Sequence, residues 1–254
     1  MTAGANLHHY PRGKVLFKIN MLALPEDIMR FVRVASRCWA CIGGEDVLHS
    51  CGANQGFVEG ENASLAVDSG FHYRTAGQVL MKIGEPLARR ILLVDTHYHS
   101  DRVFGNGMFV EKCATVVSHR NCRQRMKAQS WSLLSRYRSS DPRASRLLEK
   151  VKVSLPSVTY QDRLWAHLDD DVTLEIVHPV GIAPTDSDLI VHLPDDKVVF
   201  ASDFLWMGYH PNLEDADINS QIMALKTILQ WNPRRIVPGH GPVCGLPQLR
   251  QFII

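Results

Sequence analysis

The segment Thr96-His97-Tyr98-His99-Ser100-Asp101-Arg102 sets two imidazoles and a carboxylate close together, directly after the apolar run Ile91-Leu92-Leu93-Val94. Residues two apart at the end of a strand point the same way. His97 and His99 can therefore converge on one cation, and Asp101, in the turn that follows, can reach that cation or a neighbouring one. Imidazole and carboxylate together suit zinc, and one or two ions are expected; iron and manganese are compatible with the same donors. The helical zinc pattern H-E-x-x-H does not occur in the sequence. A bound cation would bring the pKa of its water toward about 7 and polarise a carbonyl or phosphoryl oxygen. Asp101, beside that water, could orient it and carry a proton to the leaving group, which makes it the candidate catalytic residue. Neither a Ser-His-Asp nucleophile nor a G-x-x-x-x-G-K-[ST] phosphate loop is legible, so a metal would have to do the chemistry.

Two later segments share the same local design, an apolar strand ending on a potential ligand. They are Val198-Val199-Phe200-Ala201-Ser202-Asp203 and Ile236-Val237-Pro238-Gly239-His240. Gly239 and Gly241 flank His240 and would let the backbone come close to a metal without a Cβ in the way. Read singly, Asp203 is a turn or helix cap and His240 a turn histidine; their common setting with the first cluster argues for one site.

These side chains need elements to carry them. Residues 32–42 and 55–67 read as strands broken by turns at Gly43-Gly44 and at 59–62. Residues 76–83 have helical spacing, and 91–94 and 115–118 are short buried strands. Helix, loop and helix follow over 120–148, broken near Ser139-Ser140-Asp141-Pro142. Strands return at 174–177, 188–193 and 197–201, with Pro194-Asp195-Asp196 as a hairpin turn. An amphipathic helix over 218–231 then leads to a last strand at 235–237. Strands first, then alternating helices and strands, fit sheets sandwiched between helices. Residues 1–30 show no clear period.

A chain of 254 residues with 45% hydrophobic and 21% charged residues can bury one large core, so a single domain over 1–254 is expected. A net charge of +2 is too small to imply nucleic-acid or membrane binding by the whole chain. Apolar runs are too short to span a bilayer. The six cysteines (Cys38, Cys41, Cys51, Cys113, Cys122, Cys244) make no disulfide scaffold, and no signal peptide opens the sequence, so a reducing, cytoplasmic setting is expected. Cys38-x-x-Cys41 lacks a matching pair and reads as buried thiols. Residues 120–152 hold ten Lys or Arg against Asp141 and Glu149. That composition reads as a solvated helical face, or, with Trp131 and Tyr137, as an insertion that draws an anionic small-molecule substrate to the site. It contains no recognisable nucleic-acid module.

The motifs taken together resemble the metallo-β-lactamase superfamily. The His97 to Arg102 cluster is followed by Gly105-Asn106-Gly107, Thr185-Asp186-Ser187-Asp188 before a strand and a Leu193-Pro194 hairpin, Ala201-Ser202-Asp203, and Pro238-Gly239-His240-Gly241. The match runs in order from about residue 54 to about residue 245 and covers most of the chain. The resemblance implies an α+β fold, an αββα sandwich of two mixed sheets flanked by helices, with the metal site at one sheet edge. It also implies hydrolysis of an ester, thioester, lactam or phosphoester by metal-bound hydroxide. Asp68 resembles the family's aspartate that supports the metal-binding loop without binding metal.

Two departures bear on the site. Arg102 stands where many members have a further histidine; by analogy with members that carry arginine there, Asp101, Asp203 and His240 would form the second site. Pro184 stands where the family's third first-site histidine is expected, and proline has no donor atom. The first site would then keep His97 and His99, with Asp203 bridging from the second. His178 and His119 are the available substitutes, each with an ordinary packing role as its simpler reading. Two other readings follow: a metal-depleted, catalytically weak or regulatory member of the same fold, or an iron-binding oxidoreductase, for which the chain has no room for a flavin domain after residue 245.

Overall fold

A computed structural model describes residues 29–43, 52–84, 90–179, 181, 183–213 and 216–253. The reading of residues 1–28 and of Cys51 lies outside the described residues, as does Gly44 of the expected Gly43-Gly44 turn.

The first sheet has seven strands in chain order: β1 (Arg30–Ala35), β2 (Cys38–Ile42), β3 (Gln55–Glu59), β4 (Ala63–Val67), β5 (Arg90–Asp95), β6 (Thr115–His119) and β7 (Val158–Tyr160). The first four pair antiparallel, and β4 to β7 pair parallel. The second sheet has the order β12-β11-β10-β9-β8, formed by β8 (Arg163–His167), β9 (Thr173–Val177), β10 (Ile190–Leu193), β11 (Val198–Phe200) and β12 (Arg235–Val237). The continuous stretch expected over 32–42 is a hairpin. It turns at Ser36-Arg37, where the Arg33 guanidinium donates to the carbonyls of Ala35 and Ser36.

Side chains alternate across each strand, and this sorts three cores. Val58, Leu65 and Val94 meet Leu174, Ile176 and Val191 between the two sheets. The opposite face of the first sheet, with Phe57, Leu93 and Val116, is covered by Ala76, Val79 and Leu80 of α1 (Tyr73–Ile83). The outer face of the second sheet, with Ile190, Val199 and Ile236, is covered by Leu225 and Ile228 of α6 (Ile218–Trp231) and Leu249 of α7 (Leu246–Ile253). The layers are therefore helix, sheet, sheet, helix, as expected.

Between β5 and β6 lie two short helices, α2 (Ser100–Val103) and α3 (Asn106–Val110). After β6 come α4 (Arg120–Ser140) and α5 (Pro142–Leu148), separated at Asp141, whose carboxylate caps α5 by accepting from the amides of Arg143 and Ala144. Only Cys122, Met126, Ser130 and Leu134 of α4 are buried, one per turn. Most of its basic side chains therefore face solvent, and Arg125 pairs with Asp186. No helix among the described residues is long and apolar enough to cross a membrane.

Candidate metal centre

Three strand ends build the site. β5 runs into Thr96-His97, and β11 lies parallel to β12 with Phe200 opposite Val237, so Asp203 and His240 emerge side by side. Cross-links fix the edge: the Asn54 amide donates to the Gly239 carbonyl at 2.8 Å, and the Leu189 amide to that of Thr96 at 2.9 Å. Gly239 is required for close approach, because a Cβ there would overlap the Asp203 carboxylate.

His97, His99 and Asp203 each offer a donor atom within 4.8 Å of the others, and among the described residues no other His, Cys, Asp or Glu side chains come together in this way. His97 Nε2 is buried, makes no hydrogen bond, and lies 3.4 Å from Asp203 Oδ2. Two donors about 2.0–2.1 Å from one tetrahedral ion stand about 3.4 Å apart. The residues present therefore fit a metal of zinc's size. His99 is partly exposed while His97 is fully buried, so the grouping meets solvent on the His99 side.

On its other face His97 Nδ1 meets the Ser202 hydroxyl in hydrogen-bond geometry, with the Asp188 carboxylate nearby but not hydrogen-bonded to it. Asp188 Oδ1 and Ser202 Oγ each lie 3.3 Å from Nδ1. Ser202 Oγ–H donates to Thr96 Oγ1 at 2.9 Å, and Thr96 donates its hydroxyl and its amide to the Asp68 carboxylate at 2.9 and 2.7 Å. This directed network assigns the proton to Nδ1 and leaves Nε2 as the ligating nitrogen. Burial lowers the His97 pKa to about 3 against the pull of Asp203, so the ring is neutral and needs no deprotonation to bind a cation. Burial also raises Asp68 to about 7, opposed by the Arg102 guanidinium.

Asp101 and His240 meet on the other side of Asp203. His240 Nε2 lies 3.5 Å from Asp101 Oδ2 and 3.6 Å from Asp203 Oδ1, with the Trp206 ring stacked 3.8 Å over the imidazole. Arg102, fully buried, is the hub between these groups. Its Nη2 donates to Asp203 Oδ1 and, at 3.2 Å, to the Gly239 carbonyl; its Nη1 donates to the Asn54 carbonyl at 3.0 Å. Asp68 and Asp101 lie 3.6 and 3.7 Å from the guanidinium. Burial alone would raise the Asp101 and Asp203 carboxyls; Arg102 and His240 override it and hold both below the usual carboxylate range.

The structure thus brings His97, His99, Asp101, Asp203 and His240 to one edge of the sandwich. His119 and His178 stack on each other, ring centres 4.1 Å apart, beside a cleft of about 250 Å³ lined by Arg120, Asn121, Gln161 and Asp162. His178 Nδ1 bonds the Asp188 carbonyl at 2.8 Å, and neither ring joins the metal-ligating group. Pro184 precedes Thr185, whose amide and hydroxyl donate to Asp188 Oδ2. Sequence reasoning missed Asp188 and Ser202. Both lay within the motifs that carry the resemblance, Thr185 to Asp188 and Ala201 to Asp203, but nothing in the sequence pointed to their closeness to His97.

The sequence pattern of the metallo-beta-lactamase superfamily matches residues 50–240. A metallo-beta-lactamase from Pontibacter korlensis superposes with a TM-score of 0.71 at 19% identity, covering 89% of this chain and 97% of that one. DIM-1 metallo-beta-lactamase gives 0.68 at 16% identity, over 89% and 95% of the two chains. The metallo-beta-lactamase FIM-1 from Pseudomonas aeruginosa, in its mono-zinc form, gives 0.66 at 19% identity, over 90% and 95%. No curated protein sequence matches the chain. The chain belongs to the metallo-beta-lactamase superfamily.

Proposed function

We propose that the protein is a metal-dependent hydrolase, with zinc as the ion, acting on an ester, thioester, lactam or related bond of a small molecule. One observation carries the reading: the buried Nε2 of His97 faces Asp203 Oδ2 across the edge length of a tetrahedral zinc site, with His99 completing the group. A zinc ion held there supplies a Lewis acid and an acidified water.

The chain's own residues do the rest. Ser202, whose own proton goes to Thr96, fixes the His97 tautomer, and Asp203 is held ionised by Arg102 despite its burial. Asp101, held ionised in the same way, is the group that accepts and returns a proton during hydrolysis. The exposed basic face of α4 supports an anionic substrate, and the free thiols Cys38, Cys41, Cys122 and Cys244 support a reducing, cytoplasmic setting for a single-domain protein.

Pro184 favours a second reading, in which the fold persists with weakened metal binding and a regulatory role. Purification without chelator, zinc loading and a screen of ester, thioester and lactam substrates separates the two. Zinc-dependent turnover that is lost in Asp101→Ala supports the hydrolase. Bound zinc without turnover on any of these bond classes supports the regulatory reading, and failure to retain zinc at all refutes the hydrolase.

A further inference from the structure

We propose that a groove running from the metal edge along β12 binds a small amphipathic anion, a molecule with an apolar tail and a carboxylate or phosphate end. The inference rests on the hydrolase reading and names its substrate class: the anion is the part of the substrate that anchors it beside the centre.

Two clefts make the groove. The smaller, of about 420 Å³, opens between the Trp206 to His210 segment and Gln248, Gln251 and Phe252 of α7. The larger, of about 630 Å³, lies between Arg234-Arg235, where β12 begins, the return segment Pro242 to Gly245, and Gln248. Met207 and Gln248 line both, so the clefts adjoin. Each has the size of a small-molecule site.

Backbone bonds tie both ends of the groove to the sandwich. The Met207 amide donates to the His240 carbonyl at 2.9 Å, and the Trp206 ring, on the wall of the smaller cleft, stacks 3.8 Å over the His240 imidazole. At the far end the amides of Arg234 and Arg235 both donate to the Lys197 carbonyl, which fixes the start of β12. Arg235 precedes His240 by five residues, at most about 18 Å of extended chain. A ligand of modest length therefore reaches from the centre to the guanidiniums.

The lining sets the chemistry of the ligand. Trp206, Met207, Tyr209 and Phe252 give the end nearest the centre an apolar wall, with Tyr209 44% exposed there. Arg234 and Arg235, both exposed, charge the far end, and the described residues that line the two clefts include no carboxylate. The sequence carries the same bias: residues 218–254 hold Lys226, Arg234, Arg235 and Arg250 and no Asp or Glu. A guanidinium stays protonated and matches the oxygens of a carboxylate or phosphate with paired N–H groups. Apolar walls beside such charges focus the field on an incoming anion. Burial of the tail against Trp206 and Phe252 supplies affinity, and the arginines select the sign. The cleft beside His119 and His178 differs, since Asp162 there offsets Arg120.

Binding to the full-length protein is measured by isothermal titration, with decanoate and decyl phosphate as probes below their micelle concentrations. Decanol and decyltrimethylammonium carry the same tail without the negative charge; acetate and inorganic phosphate carry the charge without the tail. One site per chain is expected for the long anions, with every other probe at least about tenfold weaker. Arg234→Gln/Arg235→Gln should weaken decanoate at least about tenfold, and so should Gln248→Glu, which sets a negative charge where the clefts meet. Arg90→Gln/Lys112→Gln, an equal change of charge at exposed positions outside the groove, should alter it less than about threefold. Tighter binding of decyl phosphate than of decanoate assigns a phosphate end, and the reverse a carboxylate end. Equal binding of decyltrimethylammonium, unchanged affinity in Arg234→Gln/Arg235→Gln, or no binding of either long anion overturns the assignment. The hydrolase reading fails separately. Long anions that bind a protein inactive on every ester, thioester and lactam refute hydrolysis and leave the groove, whereas turnover without such binding refutes the groove and leaves the hydrolase.

Discussion

Replacing Arg102 by methionine keeps most of the side-chain volume and removes the charge. In the metal-free wild type the guanidinium faces Asp68 at 3.6 Å, Asp101 at 3.7 Å and Asp203 in direct hydrogen bond, all out of solvent. Removing one partner of a buried ion pair costs about 3–5 kcal/mol, because the other charge stays behind. At about 2–4 °C per kcal/mol for a domain of roughly this size, the apoprotein should lose about 6–20 °C in Tm at pH 7. The pH dependence has a definite sign. Burial opposes ionisation of Asp101 and Asp203, but Arg102 leads the groups that hold their folded-state pKa values down. Carboxyls depressed in this way add stability that is present above the unfolded value, about 3.9, and is lost as pH falls through the folded value. The gap between wild type and Arg102→Met is therefore widest above about pH 5 and closes toward strong acid. Thermal unfolding followed by circular dichroism across pH 3–8, in chelator, measures it. A gap under about 2 °C at pH 7, or one that widens in acid, would refute the assignment of Arg102 as the charge that makes this cluster tenable.

Three further substitutions probe the scaffold. Ser202 sits at φ 48°, a conformation glycine takes more easily. Ser202→Gly should hold or raise Tm yet weaken zinc binding about tenfold through loss of the Oγ contacts to Thr96 and His97, and unchanged chelator competition would remove Ser202 from the network. Gly239→Ala forces a methyl group against the Asp203 carboxylate, so it should cut zinc affinity by at least about tenfold, which isothermal titration reads directly. Pro184→His places an imidazole where the resemblance implies a third histidine, and zinc should be held about tenfold or more tightly by chelator competition; an unchanged affinity would show that position 184 does not face the ion.

The fold was legible where periodicity was strong. β5 with its flanking polar cluster, α6 and the β10–β11 hairpin all follow from apolar spacing and turn residues. β7 and β8 escaped because they are short and partly exposed, with Trp165 and Val158 facing solvent, so no apolar run announces them. α7 escaped because only Leu249 among its residues is buried. At the site, His97, His99, Asp101, Asp203 and His240 could be named because each ends or follows a strand. The hub role of Arg102 could not, since it depends on Asn54, Asp68, Asp203 and Gly239, residues separated by up to 137 positions from it and brought together only by the stacked sheets. Asp188 and Ser202 were hidden for the same reason: their significance is their distance from His97 Nδ1, which no local pattern encodes.

His97, His99 and Asp203 are proposed to hold the ion. Zinc affinity of the wild type against His99→Ala, by chelator competition at pH 7, tests it most directly, because His99 is the partly exposed member of the group and its removal leaves the buried cluster around Arg102 intact. A loss of at least about a hundredfold is expected, since a direct ligand should matter at least as much as an outer-shell partner. Equal affinity in the two proteins would contradict it.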